Sequence, residues 1–508
     1  MPQRLPQSRD RDVSRRRFLQ HGGMCAAASL VAPTLHAYSR RRLTGGGLID
    51  SPYGPPFPTP DLTTGLRLLK LPRGFRYASV GWTGDMMGDG TLTPARHDGM
   101  ATVLSGGGPG GDVTLIRNHE RGPAMPGDPL PLVGGGLAPT YDDLSVAGVV
   151  EGIGGGTTAM TFRAGHLIDT RATLAGTLFN CAGGPTPWGS WLTCEEIMIL
   201  GSAMGAKDHG FVFEVPAPSV GVASARPITD MGLMRHEAVA VDPRDSRVYL
   251  TEDNEPRSGF YRFTPHDPSQ VVGALEAGGV LEMLKIVGQD NFDLATAQQG
   301  DVLQVEWVPV ANPTAPPETL VSLLPAFPAT GGLGRSGSFL QGEALGGAHM
   351  RRGEGCWHQG GVIYLVDTTG GAVAKGTVWA YDPVALTLTA LFVSPNQATA
   401  DNPDNVTVSQ RGGILVCEDG SGLAGPGGRV VGTRMLGIDR QGGSFVFAEN
   451  NMVIDDPLPG RPFILPGDYR GSEWAGATFD PFSRFFYVNI QTPGVTFIIS
   501  GPWRRGPF

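Results

Sequence analysis

The sequence predicts an all-β protein, and more specifically a six-bladed β-propeller with long loop insertions. Short strand-like runs recur along the 508-residue chain, several segments repeat one plan, and helical periodicity is poor. The 76 Gly and 43 Pro residues follow no collagen period, so we interpret them as breaks between short strands. A β-sandwich in which the segments resemble one another by chance is the alternative fold.

The repeated segment is a hairpin that carries acids at both of its ends. The clearest copy begins at Glu237, passes through an alternating strand and a turn at residues 243 to 246, and closes on Glu252 and Asp253. Five copies are clear, and a looser sixth runs from Asp98 to Glu120. In an antiparallel hairpin, the first residue of one strand neighbours the last residue of the other. Each copy therefore places its leading and trailing acids at one end of a blade.

If the leading strands are innermost, all copies present these ends at one mouth of a central channel. The predicted ring comprises Cys181, Glu195, Glu196, Glu237, Glu252, Asp253, Glu354, Asp367, Asp404, Glu418, Asp419 and Glu473. Converging carboxylates cannot all stay ionised unless cations compensate them. Oxygen ligands suit Ca²⁺, Mg²⁺, Mn²⁺ or ferric iron, whereas a thiolate among them points to at least one transition metal. For any single acid, local hydrogen bonding in a turn is an equally good explanation.

The cysteines leave two interpretations open. Cys181, Cys194, Cys356 and Cys417 follow the N-terminal segment, and an even count permits disulfides in an oxidising compartment. Cys181 and Cys194 flank one turn and could be cross-strand neighbours. Each of the four lies in or beside an acid-bearing strand end, which suits a metal ligand or a buried thiol equally well.

Other common motifs are absent from the sequence. It contains no H-E-x-x-H or C-x-x-C zinc spacing, no G-x-S-x-G, no P-loop and no dinucleotide fingerprint between a strand and a helix. Arg352, two residues before Glu354, lies where a guanidinium could bind an anionic substrate such as phosphate. Its alternative role is an ion pair with a carboxylate.

The N-terminus has the pattern of a twin-arginine export signal. The stretch SRRRFLQ at residues 14 to 20 precedes an apolar run and a candidate cleavage site at residues 35 to 37. We therefore expect a signal peptide over residues 1–37, recognition by the twin-arginine export machinery, and a periplasmic or secreted product. Without that segment the formal net charge falls from −9 to −13. This charge argues against nucleic acid as a partner, and no apolar stretch is long enough for a membrane span in the mature protein.

The remaining chain is predicted to form one domain. Residues 38–75 form an extended, polar and Pro/Gly-rich lead-in, and residues 76–508 form a single β-propeller, with an insertion expected at residues 290–345.

Eight stretches resemble the PhoX family of secreted bacterial alkaline phosphatases. They lie between about residue 97 and residue 495 and read NCAGGPTPWGSWLTCEE, MRHEAVAVDP, VYLTEDN, RRGEGCWHQGG, IYLVDTTGG, DNPDNVTVS, VCEDG and GSEWAGATFDP. The family fold is a six-bladed propeller, and a twin-arginine signal is also typical of the family.

The resemblance implies an active site with a pair of irons and several calcium ions, Fe³⁺ and Ca²⁺, bridged by carboxylates. Cys181 matches the cysteine bound to iron. Glu196, Glu252 and Glu354 resemble carboxylate ligands, and Arg352 resembles the arginine that contacts the substrate. The other candidate ligands, whose division among calcium, iron and the surrounding residues is open, are Glu195, Glu237, Asp404, Glu418, Asp419 and Glu473.

The resulting hypothesis is metal-assisted hydrolysis of a small phosphate ester, with Arg352 and Glu354 as catalytic residues. One alternative is a calcium-dependent propeller hydrolase that acts on lactones or phosphotriesters. Another is an exported binding protein in which calcium only stabilises loops. Neither alternative needs a thiolate ligand, so iron content distinguishes them from the phosphatase.

Overall fold

The computed structural model describes residues 47–104, 112–134, 136–163, 165–201, 206–322, 330–420, 422–424, 430–439 and 442–508. These residues are nearly all in β-strands, turns and loops, with one α-helix among them, α1 (Gly337–Ala344). None of the described helices is long and apolar enough to cross a membrane. The predicted signal peptide over residues 1–37 lies outside the described residues.

The strands are short, as the sequence predicts, because Gly, Pro and Asn turns interrupt them repeatedly. In chain order the first are β1 Pro56–Thr59, β2 Leu69–Pro72, β3 Arg76–Val80, β4 His97–Leu104, β5 Val113–His119, β6 Gly155–Arg163, β7 His166–Thr177, β8 Asn180–Pro185, β9 Ser190–Glu195, β10 Ile199–Leu200, β11 Val212–Pro216, β12 His236–Val241, β13 Val248–Glu252, β14 Phe260–Pro265, β15 Gly279–Ile286 and β16 Val302–Pro309. The remaining strands are β17 Thr319–Ser322, β18 Thr330–Leu333, β19 Gly353–Gln359, β20 Val362–Asp367, β21 Thr377–Asp382, β22 Thr387–Val393, β23 Pro403–Val408, β24 Ile414–Glu418, β25 Leu423–Ala424, β26 Val430–Val431, β27 Arg434–Ile438, β28 Ser444–Asn450, β29 Val453–Ile454, β30 Gly467–Asp468, β31 Trp474–Phe479, β32 Phe486–Ile490 and β33 Val495–Ser500.

Antiparallel sheets follow one another along the chain. The sheet orders are β4-β5-β6-β7, then β8-β9-β11, then a nine-stranded sheet of β12 to β16 and β22 to β19, then β23-β24-β27-β28, then β31-β32-β33. Strand β16 joins the two halves of the nine-stranded sheet because it pairs with both β15 and β22. Three small sheets are β10-β18-β17, β25-β26 and β29-β30.

The N-terminal lead-in contributes strands to sheets formed by distant parts of the chain. Strands β1 and β2 extend the β23–β28 sheet, where Leu69 pairs with Asn450. Strand β3 pairs with β33, so that Arg76 lies opposite Ser500. The first and last parts of the described chain are therefore hydrogen-bonded to each other.

The predicted insertion at residues 290–345 carries β16, the hairpin β17–β18 and α1. Helix α1 begins after Ser336, whose hydroxyl accepts a hydrogen bond from the Phe339 amide at 3.1 Å. This is a typical N-cap, which satisfies one of the free amides of the first turn.

The first strands of six hairpins lie side by side in a closed series. Strand β4 contacts β8, β8 contacts β12, β12 contacts β19, β19 contacts β23, β23 contacts β31, and β31 contacts β4. The apolar core is divided among the interfaces between neighbouring sheets, where Trp191, Trp379 and Trp474 are almost fully buried. The six leading strands therefore form the centre of the molecule.

Each of the six leading strands carries one extra residue near its start. Between His97 and Met100 the chain advances three residues while its partner advances two, from His119 to Arg117. The same irregularity occurs in β8–β9, β12–β13, β19–β20, β23–β24 and β31–β32. A β-bulge of this kind bends the strand and changes where its side chains point. The residues inside the first five bulges include the leading side chains Asp98, Cys181, Glu237, Glu354 and Asp404.

Glycines next to the leading side chains allow neighbouring central strands to approach closely. A Cβ atom on Gly99 would lie 2.4 Å from Ala182 Cα on the next leading strand. A Cβ atom on Gly355 would lie 2.6 Å from the Val406 amide nitrogen. Both distances are shorter than a normal van der Waals contact, and the atoms approached belong to rigid backbone. A larger residue at either position would therefore force the central strands apart.

We predict that Gly99→Ala destabilises the protein by about 1–3 kcal/mol, because the added methyl overpacks a rigid backbone contact. Urea unfolding of the purified protein measures this difference. Gly221→Ala is the matched control, since its Cβ would lie 3.5 Å from the nearest atom, in Pro216. Equal stability of the two variants would show that the central strands can separate without cost.

Candidate active site

One cavity collects the ends of the six central hairpins. Its volume is about 210 Å³, and its lining comprises Asp98, Glu120, Cys181, Glu196, Glu237, Asp253, Arg352, Glu354, Asp404, Asp419, Glu473 and Gln491. Nine of these twelve residues carry carboxylates, and Arg352 is the one cation among them. The convergence predicted from the repeat is therefore present in the structure.

The cavity receives only one residue of each trailing acid pair. Strands β9, β13 and β24 end at Glu195, Glu252 and Glu418, and the residues that line the cavity are the next ones, Glu196, Asp253 and Asp419. Successive side chains of a strand point to opposite sides, so two adjacent acids cannot both face the same space.

The first acid of each pair instead has partners inside the protein. Glu195 accepts hydrogen bonds from the amides of Leu178 at 2.8 Å and Gly210 at 2.9 Å, and its Oε1 lies 2.6 Å from His209 Nδ1. Its side chain is fully buried. The structure therefore places Glu195, a candidate metal ligand, behind the cavity wall.

Glu418 and Glu252 have similar positions. Glu418 receives two hydrogen bonds from the Arg434 guanidinium, at 2.9 Å and 2.6 Å, and both side chains are almost completely buried. Glu252 accepts a hydrogen bond from the Tyr261 hydroxyl at 2.6 Å and one from the Gly259 amide at 3.2 Å. Neither carboxylate is part of the cavity lining.

Arg352 is held against the acidic wall. Its Nε and Nη2 donate to the two oxygens of Asp253, each at 2.8 Å, and Nη2 also lies 3.0 Å from Glu354 Oε1. The backbone of Arg352 has a φ of 64°, a left-handed conformation that residues other than glycine rarely adopt. Such conformations concentrate at functional sites, where the surrounding structure imposes them.

The acids of the cavity strongly disfavour one another's ionisation. Burial, and then Asp419, raises the pKa of Asp404 to about 7. Burial is also the largest cause of a pKa near 7 for Glu120, where the nearby Arg96 opposes it. Burial followed by neighbouring carboxylates raises the pKa values of the remaining group well above their ordinary range: Asp98, Glu196, Glu237, Glu354 and Glu473.

The Cys181 thiol belongs to the same electrostatic environment. It is buried, and burial together with Glu237 raises its pKa well above the ordinary value. Its Sγ lies 3.2 Å from the His236 carbonyl oxygen, to which the thiol donates. All four described cysteines are free and buried, and Cys194, Cys356 and Cys417 lie outside the cavity lining.

Three groups of side chains along the cavity could each hold a metal ion. They are Cys181 with Glu196 and Glu237, Glu237 with Glu354 and Asp404, and Asp404 with Asp419 and Glu473. Within each group the ligand atoms lie within 4.8 Å of one another. Glu237 and Asp404 each belong to two groups, so a carboxylate could bridge neighbouring ions at either position.

The donor set fits bound cations. Glu354 Oε1 is buried and accepts no well-aligned hydrogen bond from the described residues, and its ion-pair partner is Arg352 Nη2 at 3.0 Å. Nine carboxylates beside one guanidinium can all be ionised only if further positive charge is present. Bound cations would supply that charge.

Three lining residues were not among the site residues predicted from the sequence. Asp98 and Glu120 begin and end the looser sixth copy, and Gln491 follows β32. The Gln491 amide donates to Glu120 Oε2 at 2.6 Å and to Asp98 Oδ2 at 3.3 Å. Glu120 directly follows β5, just as Glu196 directly follows β9. This equivalence between the loose copy and a clear copy could have predicted that Glu120 lines the cavity.

His209 behind the cavity lies between two carboxylates. Its Nδ1 lies 2.6 Å from Glu195 Oε1 and its Nε2 lies 3.3 Å from Asp142 Oδ2. Burial lowers the pKa of His209, but Glu195 and Asp142 outweigh burial and raise the pKa from 6.5 to about 9. The protonated imidazole therefore stabilises the fold fully below pH 6.5, and this contribution is lost as the pH rises through about 9.

We predict that His209→Gln lowers the free energy of unfolding by about 3 kcal/mol more at about pH 6 than at about pH 10. Urea unfolding of the wild type and the variant at both pH values measures the difference. His166→Gln, at an exposed position, is the control. A stability loss that is the same at both pH values would mean that His209 is uncharged in the folded protein.

Comparison with known proteins identifies the family. The family model described as alkaline phosphatase PhoX matches residues 154–494. A search of curated proteins gives no match. Among solved structures, Pseudomonas fluorescens PhoX in complex with vanadate, a transition state analogue, is 16% identical to this chain with a TM-score of 0.58. The match covers 92% of this chain and 99% of that one, which shows a shared fold.

A second structural match is too distant to support an argument. It is the PQQ domain of pyranose dehydrogenase from Coprinopsis cinerea, which is 11% identical to this chain with a TM-score of 0.32. The match covers 87% of this chain and 100% of the dehydrogenase domain.

The family match spans most of the hairpins that end at the acidic cavity, from β8 to β32. The chain belongs to the PhoX family of alkaline phosphatases.

Proposed function

We propose that the acidic cavity is the site of phosphate monoester hydrolysis, with iron held around Cys181 and calcium held by the carboxylate groups beyond it. PhoX phosphatases are metal-dependent hydrolases of phosphate esters. The observation that carries the proposal is the linked series of three ligand groups, one of which contains a thiol. Phosphoryl transfer depends on compensation of charge at the transferring group, which clustered cations provide.

The ligand types favour this division of metals. Cys181, Glu196 and Glu237 combine a sulfur with two carboxylates, a donor set that suits iron and does not suit calcium. The groups built on Asp404 contain only oxygen donors, which suit calcium. Metal binding by Cys181 requires loss of the thiol proton, and a nearby cation lowers the cost of that loss.

The protein side chains bind and orient the phosphoryl group. Arg352 lies at the edge of the cavity, and Asp253 fixes the plane of its guanidinium through two hydrogen bonds. A guanidinium in this position offsets negative charge on phosphoryl oxygens. Glu354 connects Arg352 to the ligand group that it shares with Glu237 and Asp404. When bound, the cations would supply Lewis acidity towards phosphoryl oxygens and activation of water.

The hydrogen bonds of Glu195, Glu252 and Glu418 favour a supporting role. Each of these acids ends a strand and is bonded to groups behind the cavity. We infer that they fix the strand ends that carry Glu196, Asp253 and Asp419, and that they do not bind metal directly.

The proposal includes a six-bladed β-propeller. Its support is the closed series of six leading strands, each followed by antiparallel partners, and the pairing of β3 with β33. One blade would then be completed by strands from both ends of the described chain, a device that removes open sheet edges. An experimental structure in which the six leading strands do not surround one axis would contradict this architecture.

We predict that Cys181→Ser lowers bound iron and reduces kcat/KM for p-nitrophenyl phosphate by more than about 100-fold, since loss of residues outside a metal's ligand set already costs about 10–100-fold. Elemental analysis and steady-state kinetics check both effects. Cys356→Ser is the matched control, because Cys356 is also buried and free but lies outside the cavity. Calcium without iron, together with no phosphatase activity in the wild type, would instead support a binding protein.

We further propose that residues 14–20 direct export by the twin-arginine route, which gives a periplasmic or secreted enzyme. The support is the SRRRFLQ stretch followed by an apolar run. Replacement of both Arg15 and Arg16 by lysine is expected to abolish export while the protein accumulates in the cytoplasm. Cell fractionation and immunoblotting measure how much of the protein is exported and how much stays in the cytoplasm. Undiminished export of the double variant would overturn the proposal.

A further inference from the structure

A second, larger groove is lined by residues that lie close in sequence to those of the acidic cavity. Its volume is about 820 Å³, compared with about 210 Å³ for the acidic cavity. Its lining includes Arg257, Asn291, Asp293, His349, Arg351 and Thr369. Pockets that bind small organic ligands usually have volumes of about 300–1,000 Å³. The acidic cavity is therefore sized for ions and a phosphoryl group, whereas the groove has room for an organic group.

The groove and the cavity share the same two chain segments. Arg351 in the groove precedes Arg352 in the cavity, and Glu255 in the groove follows Asp253 in the cavity by two residues. The two segments are hydrogen-bonded, since the Ser258 amide donates to the Met350 carbonyl at 3.0 Å and the Met350 amide donates to the Ser258 carbonyl at 2.9 Å. The backbone that carries Arg352 continues directly into the groove lining, so a leaving group that extends along this backbone from a phosphoryl group at Arg352 would reach the groove.

The polar side chains of the groove offer both donors and acceptors. Arg351 Nη2 donates to Asp293 Oδ2 at 2.7 Å, and Arg257 Nη1 donates to Glu343 Oε1 at 2.8 Å. The Arg351 and Arg257 side chains are 43% and 48% exposed, so further N–H groups of each guanidinium face solvent. Asp293 and Glu343 therefore hold the two guanidinium groups in place.

The balance of charge indicates the chemistry of the ligand. Two arginines in the lining are matched by two carboxylates, Glu255 and Asp293. The charges of these four groups cancel, so the lining offers no net attraction for a second anionic group on the ligand. A hydroxyl group both donates and accepts, so adjacent hydroxyls suit a lining that contains both guanidinium and carboxylate groups.

We propose that the groove binds the leaving group of the substrate and that this group is a polyol such as a sugar. The inference rests on the proposed function, because it assumes that the phosphoryl group is bound beside Arg352. Arg351 and Arg257 then act as specificity-determining residues that contact the hydroxyls of a sugar phosphate. A compact aryl ester makes fewer of these contacts.

The test compares kcat/KM for glucose 6-phosphate with kcat/KM for p-nitrophenyl phosphate in the metal-loaded enzyme. Arg351→Ala and Arg257→Ala are each expected to lower this ratio about tenfold, the effect of losing a hydrogen bond to a charged group. Hydrolysis of p-nitrophenyl phosphate should remain close to the wild-type rate, which also shows that the variants fold. Arg247→Ala is the control, since Arg247 forms an exposed ion pair with Asp245 outside the groove.

Two results would overturn the proposal and leave the phosphatase function intact. One is an unchanged ratio in both variants of an enzyme that hydrolyses p-nitrophenyl phosphate. The other is a selective loss of activity towards fructose 1,6-bisphosphate without a loss towards glucose 6-phosphate, which would show that the groove recognises an anion. Absence of wild-type activity on every ester would instead overturn the proposed function, and this inference with it.

Discussion

Nine carboxylates share a cavity of about 210 Å³, and the surrounding structure must hold them together against their mutual repulsion. A single guanidinium, that of Arg352, lines the cavity with them. Burial, and then the neighbouring carboxylates, raise the pKa values of Glu237 and Glu354, so these acids take up protons in the absence of other cations. Bound metal ions would allow the acids to ionise and would turn an unfavourable cluster into a binding site.

The fold holds these groups together through features that lie outside the cavity. A bulge at the start of each leading strand redirects the side chains there, and Gly99 and Gly355 let neighbouring central strands approach closely. Behind the wall, buried ion pairs such as Glu418 with Arg434 fix the ends of the trailing strands. Removing one member of such a pair leaves a buried charge without a partner, which costs about 3–5 kcal/mol. The repulsive cluster is thus held by packing and by compensated charges around it.

The sequence predicted the convergence of the hairpin ends but not which side chains face the cavity. Cys181, Glu237, Glu354, Asp404 and Glu473 were predicted from their leading positions, and the structure brings all of them to the cavity. In the trailing pairs, the sequence offered two adjacent acids without showing which one faces inward. That choice depends on strand register, which hydrogen bonding between strands and the bulges determines. Consequently Glu196 and Asp419 line the cavity, while Glu195, Glu252 and Glu418 lie behind it. The groove around Arg351 could not be predicted from the repeat, because its walls come from loops between hairpins that have no common pattern.

The proposed function depends above all on iron bound at Cys181, and anomalous diffraction from crystals of the purified, metal-loaded protein tests this directly. We expect an iron signal at bonding distance from Cys181 Sγ, with calcium beside Asp404. A site at Cys181 that contains no transition metal in fully active enzyme would contradict this expectation.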